Sequence, residues 1–346
     1  MIKKIIKKIR GGERPDTHEI LALFHITRDE DLASLSRAAF LIKKEHGKTI
    51  KLTSTVHLTN QCQVTPKCHY CGFAAGTSPS GYFHPFFKTD DEIREAVMNI
   101  GRSGIPRVSC SGAHGYGGRQ AVNAARIVKE NSSLELLINV GSDLTKESVA
   151  SLARYGTDTV CCNLETVNRS IFHAIKPGET LDRRINACRM ISDNGIELSS
   201  GLLIGIGESC EDRVRHLDYL SAFDTLGEIP IMGFNPYAGT PMENHPPCSL
   251  KEQIKTIAIT RILYPEIRIT VPTPTIGPEN LKYPLLAGAD NVATVIPDQY
   301  PLPIKGVGSP AFGTLAGVLK VIRDLGLDPQ ITRQEIRHDA GLPTLS

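Results

Sequence analysis

No stretch of this sequence approaches the ~18 consecutive apolar residues of a membrane-spanning helix. Net charge is nearly missing too. The 39 Lys and Arg stand against 37 Asp and Glu, a formal +2, which gives no electrostatic reason to expect nucleic acid or an acidic membrane surface as a partner. The opening decapeptide, MIKKIIKKIR, carries five basic residues but no apolar h-region. That argues against a secretory signal and for a surface helix with a basic face. No Pro/Gly/Ser-rich linker, low-complexity tract or internal repeat divides the chain. What is present is an ordinary globular composition, 40% hydrophobic over 346 residues, enough for one large domain or two smaller ones.

Nine cysteines are an odd number, and with no signal peptide they do not read as a secreted disulfide scaffold. A cytoplasmic protein with reduced thiols is expected. Cys110, Cys161, Cys162, Cys188, Cys210 and Cys248 are scattered and read as small buried hydrophobes. Cys62, Cys68 and Cys71 instead crowd into CQVTPKCHYCGF. Three thiols are one short of a closed zinc site, which His69 or His84 could complete. They also suit an iron–sulfur cluster, where three cysteine ligands leave one iron open. Spacing alone leaves both readings standing, and a zinc-stabilised barrel without catalysis belongs to the first. Colour separates them, since an iron–sulfur protein is brown when prepared anaerobically.

Around this cluster the pattern alternates. Residues 16–45 read as two helices, with THEI and TRDEDL each offering a Ser/Thr-type cap and acids in the first turn. Strand IKLTSTVHL runs into the cysteine loop, followed by helix TDDEIREAVMNIGRSG. Strands RVSCSG, LELLINVG, TDTVCCNLE, IELSSGLLIGIG, IPIMGFNP and RITVP then alternate with helical segments. Strand then helix, repeated, means parallel strands with crossover helices. About eight such units fit a closed barrel better than an open sheet. The expected fold is an α/β (β/α)8 TIM-type barrel over 49–325, with an N-terminal helical extension over 1–48 and a tail over 326–346. Active-site residues in such a barrel come from the C-terminal ends of strands. The cysteine loop lies there, as do Asn163, Glu165 and the GIGE segment. Side chains alternate along a strand, so Cys161, Asn163 and Glu165 share one face, and that face suits the lumen.

At this point the sequence resembles the radical S-adenosylmethionine (SAM) enzymes. Most of them carry CxxxCxxC after the first barrel strand, with an aromatic just before the third cysteine. Tyr70 supplies that aromatic, while the spacing here is Cx5CxxC. This variant resembles the radical SAM proteins that help build the iron–guanylylpyridinol cofactor of mononuclear-iron hydrogenase. The wider branch holds biotin synthase, methylornithine synthase and the diiron-hydrogenase maturases. The resemblance covers about residues 20 to 300. NLETVNRSIFHAIKPGETLDRRINA is similar to the branch's strand-four segment, in which Asn163 and Glu165 match positions that hold SAM. Arg184 matches an arginine that pairs with the SAM carboxylate, a bidentate task suited to a guanidinium. GLLIGIGE, with Gly205 and Ile206, matches a stretch beside the adenine. NPYAGTPME and AGADN resemble later segments of the branch. One departure stands out: the branch's GGE-like run after the second strand reads CSGAHG. Gly112 is kept and the acid is not. Backbone groups around Ser111–Ala113 are then expected to meet the SAM ammonium, with His114 close by.

The resemblance implies a 4Fe–4S cluster on Cys62, Cys68 and Cys71, with SAM on the open iron. One electron from a donor such as ferredoxin or flavodoxin gives a 5′-deoxyadenosyl radical, which takes hydrogen from a small-molecule substrate in the lumen. Neither nucleic acid nor membrane is an expected partner. The polar residues expected to face the substrate are Cys110, His114, Tyr116, Asn235, Tyr237, Thr273 and Thr275. Alternative activities are a carbon-skeleton mutase like methylornithine synthase, or sulfur insertion like biotin synthase. The latter needs a second cluster on lumen cysteines. Here Cys110 matches one such position, Leu137 and Ser199 fall near the other two, and Cys161 is the other inward cysteine, so a single cluster is expected.

Overall fold

The computed structural model describes residues 2–72, 85–297 and 313–332; His84 and most of the C-terminal tail lie outside the described residues. Short aliphatic runs form β1 (Thr49–His57), β2 (Arg107–Ser111), β3 (Glu135–Asn139), β4 (Thr159–Cys161), β5 (Glu197–Ser199), β6 (Leu202–Ile204), β7 (Leu226–Gly233), β8 (Arg268–Pro272) and β9 (Asn291–Ala293). Neighbours pair in parallel, and β9 returns to β1 through Lys51↔Asn291 and Leu52↔Val292, closing the sheet. β5 and β6 share one position in the ring, both pairing with β7. The described residues therefore form the eight-position parallel barrel expected for a (β/α)8 fold.

The fifth strand was expected to be continuous over IELSSGLLIGIG, and it is not. The register slips between Leu198 and Ser199. At Gly201 the backbone comes so close to β7 that a Cβ would sit 1.8 Å from the Pro230 carbonyl oxygen. Only glycine permits that approach.

Before the barrel stand α1 (Ile2–Arg10), α2 (Thr17–Phe24) and α3 (Asp29–Glu45). α1 buries Ile5, Ile6 and Ile9, which leaves its lysines on the outer face. The cap of α2 is Asp16, one residue earlier than expected, in a reciprocal capping box with Glu19. Arg28 stands at the N-cap of α3 and gives no side-chain cap, and Asp29, Glu30 and Asp31 complement the helix dipole in the first turn. The outer helices include α4 (Asp90–Arg102), α5 (Arg119–Asn131), α6 (Lys146–Arg154), α7 (Arg169–Ile175), α8 (Leu181–Asp193), α9 (Cys210–Leu220) and α10 (Leu250–Leu263). Capping boxes at Thr89, Thr145 and Ser209 start α4, α6 and α9, each worth about 1 kcal/mol. α7 has only seven residues, too few to show a period, and it is started by Asn168, whose Oδ1 accepts from Ser170 and Ile171. Between β8 and β9 lie α11 (Thr273–Ile276) and α12 (Lys282–Leu286), and beyond β9 lie β10 (Val295–Ile296), β11 (Gly313–Thr314), α13 (Leu315–Asp324) and β12 (Asp328–Pro329), which pairs with the start of β1. Among the described residues no helix is long and apolar enough to cross a membrane.

The floor of the barrel is charged and neutral in sum. Arg107 reaches Glu228 at 2.5 Å across the lumen and Glu135 at 3.1 Å. Arg268 pairs with Glu228 at 3.1 Å and with Glu197, and Lys51 with Glu135 at 2.5 Å. Thr270 and Asn291 extend the network. Three cations and three carboxylates thus satisfy one another, which is the condition for keeping charge in a barrel core.

Candidate active site

The loop after β1 is fastened to three other rim segments by its backbone. Gln63 N–H donates to the His114 carbonyl (2.8 Å), His69 N–H to the Ile175 carbonyl (2.8 Å), and Met242 N–H to the His69 carbonyl (3.2 Å). Cys62, Cys68 and Cys71 sit half-buried on this loop, none of them in a disulfide. Among the described residues no three His, Cys, Asp or Glu side chains converge as a single metal ion requires. A four-iron cluster takes each thiolate on a different iron and needs no such convergence.

Beside Cys68 lies a buried polar cluster. The Tyr70 hydroxyl donates to Glu165 Oε1 at 2.9 Å and accepts from Lys176 Nζ at 2.9 Å. Lys176 Nζ also lies 3.6 Å from Cys68 Sγ and 3.7 Å from both Glu165 and Glu179. Arg184 pairs with Glu179 at 3.0 Å and Glu165 at 3.7 Å, and donates to the Asn163 carbonyl. Ser142 donates to Glu179. Burial pushes the Glu179 carboxyl up, but Arg184 and Lys176 outweigh it and hold it down to about 2. Burial also works against the charge of Arg184, and Glu179 overrides it, raising the guanidinium well above its usual range. Burial and then Glu165 drive the Tyr70 hydroxyl well up, so it stays protonated and donates. Arg183, next to Arg184 in sequence, is exposed.

Glu165 lies beyond the end of β4 with φ 62°, a left-handed backbone that costs a glutamate about 1–3 kcal/mol. Strand alternation therefore stops before it, and the turn aims the carboxylate at Tyr70. Asn163 is pinned, its Oδ1 accepting from Gly201 N–H at 2.9 Å. The GLLIGIGE turn is built by its own acid: Glu208 takes the N–H groups of Gly205 (2.9 Å) and Ile206 (2.8 Å) and the Arg213 guanidinium. Those N–H groups are thus engaged within the turn. The Ile206 side chain instead joins Ile175, Leu203 and Phe234 in a small apolar cluster edged by Tyr70 and Met242.

Where an acid was missing after β2, the loop wraps an acid from elsewhere. Asp143 Oδ2 accepts from Gly115, Tyr116 and Gly117 N–H at 2.7, 2.7 and 2.9 Å, a backbone nest for an anion. Gly112 is buried, its N–H donating to the Asn139 carbonyl, and the Ser111 carbonyl accepts from Leu58 N–H. The His114 ring packs on Gly141. Burial, then Arg184 and Lys176, lower its pKa to about 4, so it is neutral at pH 7.

The substrate candidates separate. Arg107 points into the lumen, as its bond to Glu228 shows, so Ser109 and Ser111 also do and Cys110 does not. Cys110 packs in the apolar layer under the helices, a correction to its expected lumen position. Thr273 is fully buried, its hydroxyl donating to the Thr294 carbonyl and accepting from Gly313 N–H, and Thr275 donates to the Pro272 carbonyl. Both stand on α11, and their hydroxyls hold backbone. Tyr116 donates to the Gln61 carbonyl at 2.6 Å, beside the cysteine loop. Asn235 and Tyr237 are half-buried after β7, and Asn235 Nδ2 donates to the Thr275 carbonyl at 3.4 Å. Sequence reasoning missed Lys176, Glu179, Ser142 and Asp143. Their signal was KPGE and GSD, two charge-bearing turns, one after α7 and one after β3.

These residues fit SAM. Glu165 Oε2 and Arg184 Nε are buried without a hydrogen-bond partner, and such an orphan costs about 1–3 kcal/mol. An acceptor and a donor left open in one buried cluster suit a ligand that carries ammonium, hydroxyl and carboxylate groups.

The comparisons agree with this geometry. The Radical SAM superfamily model matches residues 56–220, and the Biotin and Thiamin Synthesis associated domain matches residues 230–296. An uncharacterized protein of Methanocaldococcus jannaschii is 56% identical over 91% of this chain and 84% of its own length. Biotin synthase of Clostridium acetobutylicum is 29% identical over 77% of this chain and 81% of its own. The crystal structure of methylornithine synthase superposes with a TM-score of 0.83 at 21% identity, covering 94% of this chain and 97% of that one. The chain belongs to the radical SAM superfamily. It is an enzyme of the branch that holds biotin synthase and methylornithine synthase, and it uses a 4Fe–4S cluster and SAM.

Two outcomes follow from the site. Arg184→Lys keeps a charge but loses the planar fork that serves Glu179, Glu165 and Asn163 at once. SAM affinity should fall about tenfold or more, the worth of one charge-assisted hydrogen bond, as read by equilibrium dialysis. An unchanged dissociation constant would place the SAM carboxylate elsewhere. Among the strand cysteines described, only Cys161 has lumen parity, so anaerobic reconstitution should give about four irons per chain. A second cluster that survives in a Cys62/Cys68/Cys71 triple alanine variant would revive sulfur insertion.

Proposed function

We propose that Cys62, Cys68 and Cys71 ligate the cluster and that the substrate is a pyridinol-type precursor of the iron–guanylylpyridinol cofactor of mononuclear-iron hydrogenase. The supporting observation is the lumen wall. Above the charge-neutral floor, the inward strand positions among the described residues include Thr55, His57, Ser109, Ser111, Asn139 and Ser199, interspersed with Leu137, Cys161 and Met232, and none of these carries a full charge. Burial lowers the His57 imidazole to about 4, so it too is neutral at pH 7. Ser199 Oγ is buried without a partner. A zwitterionic amino acid would leave its charges unpaired against such a wall, at a cost of several kcal/mol. A neutral hydroxylated heteroaromatic ring finds hydroxyl and amide partners there.

When bound and reduced by one electron, from a donor such as ferredoxin or flavodoxin, the cluster and SAM supply a carbon radical. The chain's residues do the rest. Arg184 and Glu165 orient SAM, Ile206 and its apolar neighbours receive the adenine, and the barrel wall holds the substrate away from water. The test is anaerobic incubation with SAM, a reductant and, in parallel, pyridinol precursors, lysine or dethiobiotin, followed by product mass analysis. A new product from a pyridinol alone is the expected result. Turnover of lysine would instead support a mutase of the methylornithine synthase type.

A further inference from the structure

We infer that Lys176 is a positioning residue that sets the reduction potential of the cluster by placing a buried ammonium against the Cys68 sulfur. The inference rests on Cys68 being a cluster ligand, as proposed above.

Geometry carries it. Lys176 Nζ is 3.6 Å from Cys68 Sγ, within N–H···S reach, and its side chain is only 4% exposed. Its position follows from how two segments interlock. His69, the residue after Cys68, donates its N–H to the carbonyl of Ile175, the residue before Lys176. Two residues beyond Lys176, Gly178 lies under the cysteine loop, where a Cβ would come 2.3 Å from the Pro66 carbonyl oxygen. Lys176 itself caps the C-terminus of α7, its N–H donating to the Phe172 carbonyl, where a cation is favoured by the helix dipole. The ammonium is then steered by the Tyr70 hydroxyl at 2.9 Å and by Glu165 and Glu179 at 3.7 Å. The backbone bond, the helix end and the side-chain contacts all hold it beside one thiol of the three.

The effect has a definite sign. Reduction adds one negative charge to the cluster. A nearby buried cation, and a hydrogen bond to a ligand sulfur, both favour the more negative state and so raise the potential. Lys67 provides an internal contrast. It is exposed and donates to the Cys62 carbonyl rather than to sulfur, so solvent screens its charge. The same Lys176 ammonium touches Glu165, so the group that orients SAM and the group that tunes the cluster share one contact.

The experiment is a reductive titration followed by electron paramagnetic resonance on reconstituted wild type, K176M, K176Q, K176R and K67M, all without SAM, with iron counted in each. K176M and K176Q should have lower potentials, shifted by about 59 mV or more for a one-electron couple, a tenfold change in the reduced-to-oxidised ratio at a fixed potential. K176R should restore most of the shift, and K67M should match the wild type. Four irons with an unshifted potential in K176M and K176Q would overturn the inference alone. Loss of the cluster in both, with K176R intact, would also overturn it and leave Lys176 a purely structural role. Absence of four irons in the wild type would remove both the cluster assignment and the inference built on it.

Discussion

Cys68→Ala, like Cys62→Ala and Cys71→Ala, is expected to give a folded barrel that retains no cluster and yields no 5′-deoxyadenosine. All three thiols are half-buried on a rim loop, and none belongs to either apolar cluster of the core. The bonds that anchor the loop run through the backbone of Gln63, His69 and Met242, which these substitutions leave in place. Stability in this fold lives in the barrel and its helices, whereas the C-terminal rim carries chemistry. Far-UV circular dichroism and the thermal midpoint should therefore stay close to those of the wild type. Iron and acid-labile sulfide should fall to background. A variant with a full iron complement and normal SAM cleavage would show that another side chain is the ligand.

Glu228→Ala should have the opposite character, a large loss of stability from a site remote from the rim. Glu228 receives Arg107 at 2.5 Å, Arg268 at 3.1 Å and Thr270 at 2.7 Å, and is almost wholly buried. Removing it leaves two arginines short of a carboxylate inside the barrel, and breaking a buried pair of this kind costs about 3–5 kcal/mol. Denaturant titration measures it. The same contacts predict a pH signature. Burial pushes the Glu228 carboxyl up from 4.5, but Arg107 and Arg268 outweigh it and hold it down to about 2 in the folded protein. Its stabilisation is therefore fully present above pH 4.5 and is lost as the pH falls towards 2. Glu228→Gln should lie below the wild type at neutral pH, and the gap should close across that interval. A gap independent of pH would mean that the charge of Glu228 does not act in the floor.

Much of the barrel is legible in the sequence because its parallel strands are short aliphatic runs separated by capped, amphipathic helices. α4, expected over TDDEIREAVMNIGRSG and started by the Thr89 capping box, is the plainest case. What could not be read depends on contacts far apart in the chain. Cys110 looks like a lumen residue until Arg107, three positions earlier, is seen to bond Glu228, 121 residues away. The break at Gly201 depends on its approach to Pro230. Glu165 was placed by strand alternation, but it reaches Tyr70 from a left-handed turn. Lys176 and Glu179 lie in a loop, KPGE, with no periodicity to mark them, and only the packing of that loop against the cysteine segment brings them to the site. Thr273 and Thr275 read as polar and available. Their hydroxyls are engaged by backbone groups that sequence cannot place.

The most direct measurement is isotope transfer. A pyridinol precursor deuterated at its carbon-bound positions is incubated anaerobically with the reconstituted enzyme, SAM and a one-electron reductant, and the 5′-deoxyadenosine formed is analysed by mass spectrometry. Lysine deuterated in the same manner is run beside it. A hydroxyl-lined lumen without free charge predicts deuterium in 5′-deoxyadenosine from the pyridinol and none from lysine. Deuterium from lysine, with an unlabelled product from every pyridinol tried, would contradict the account.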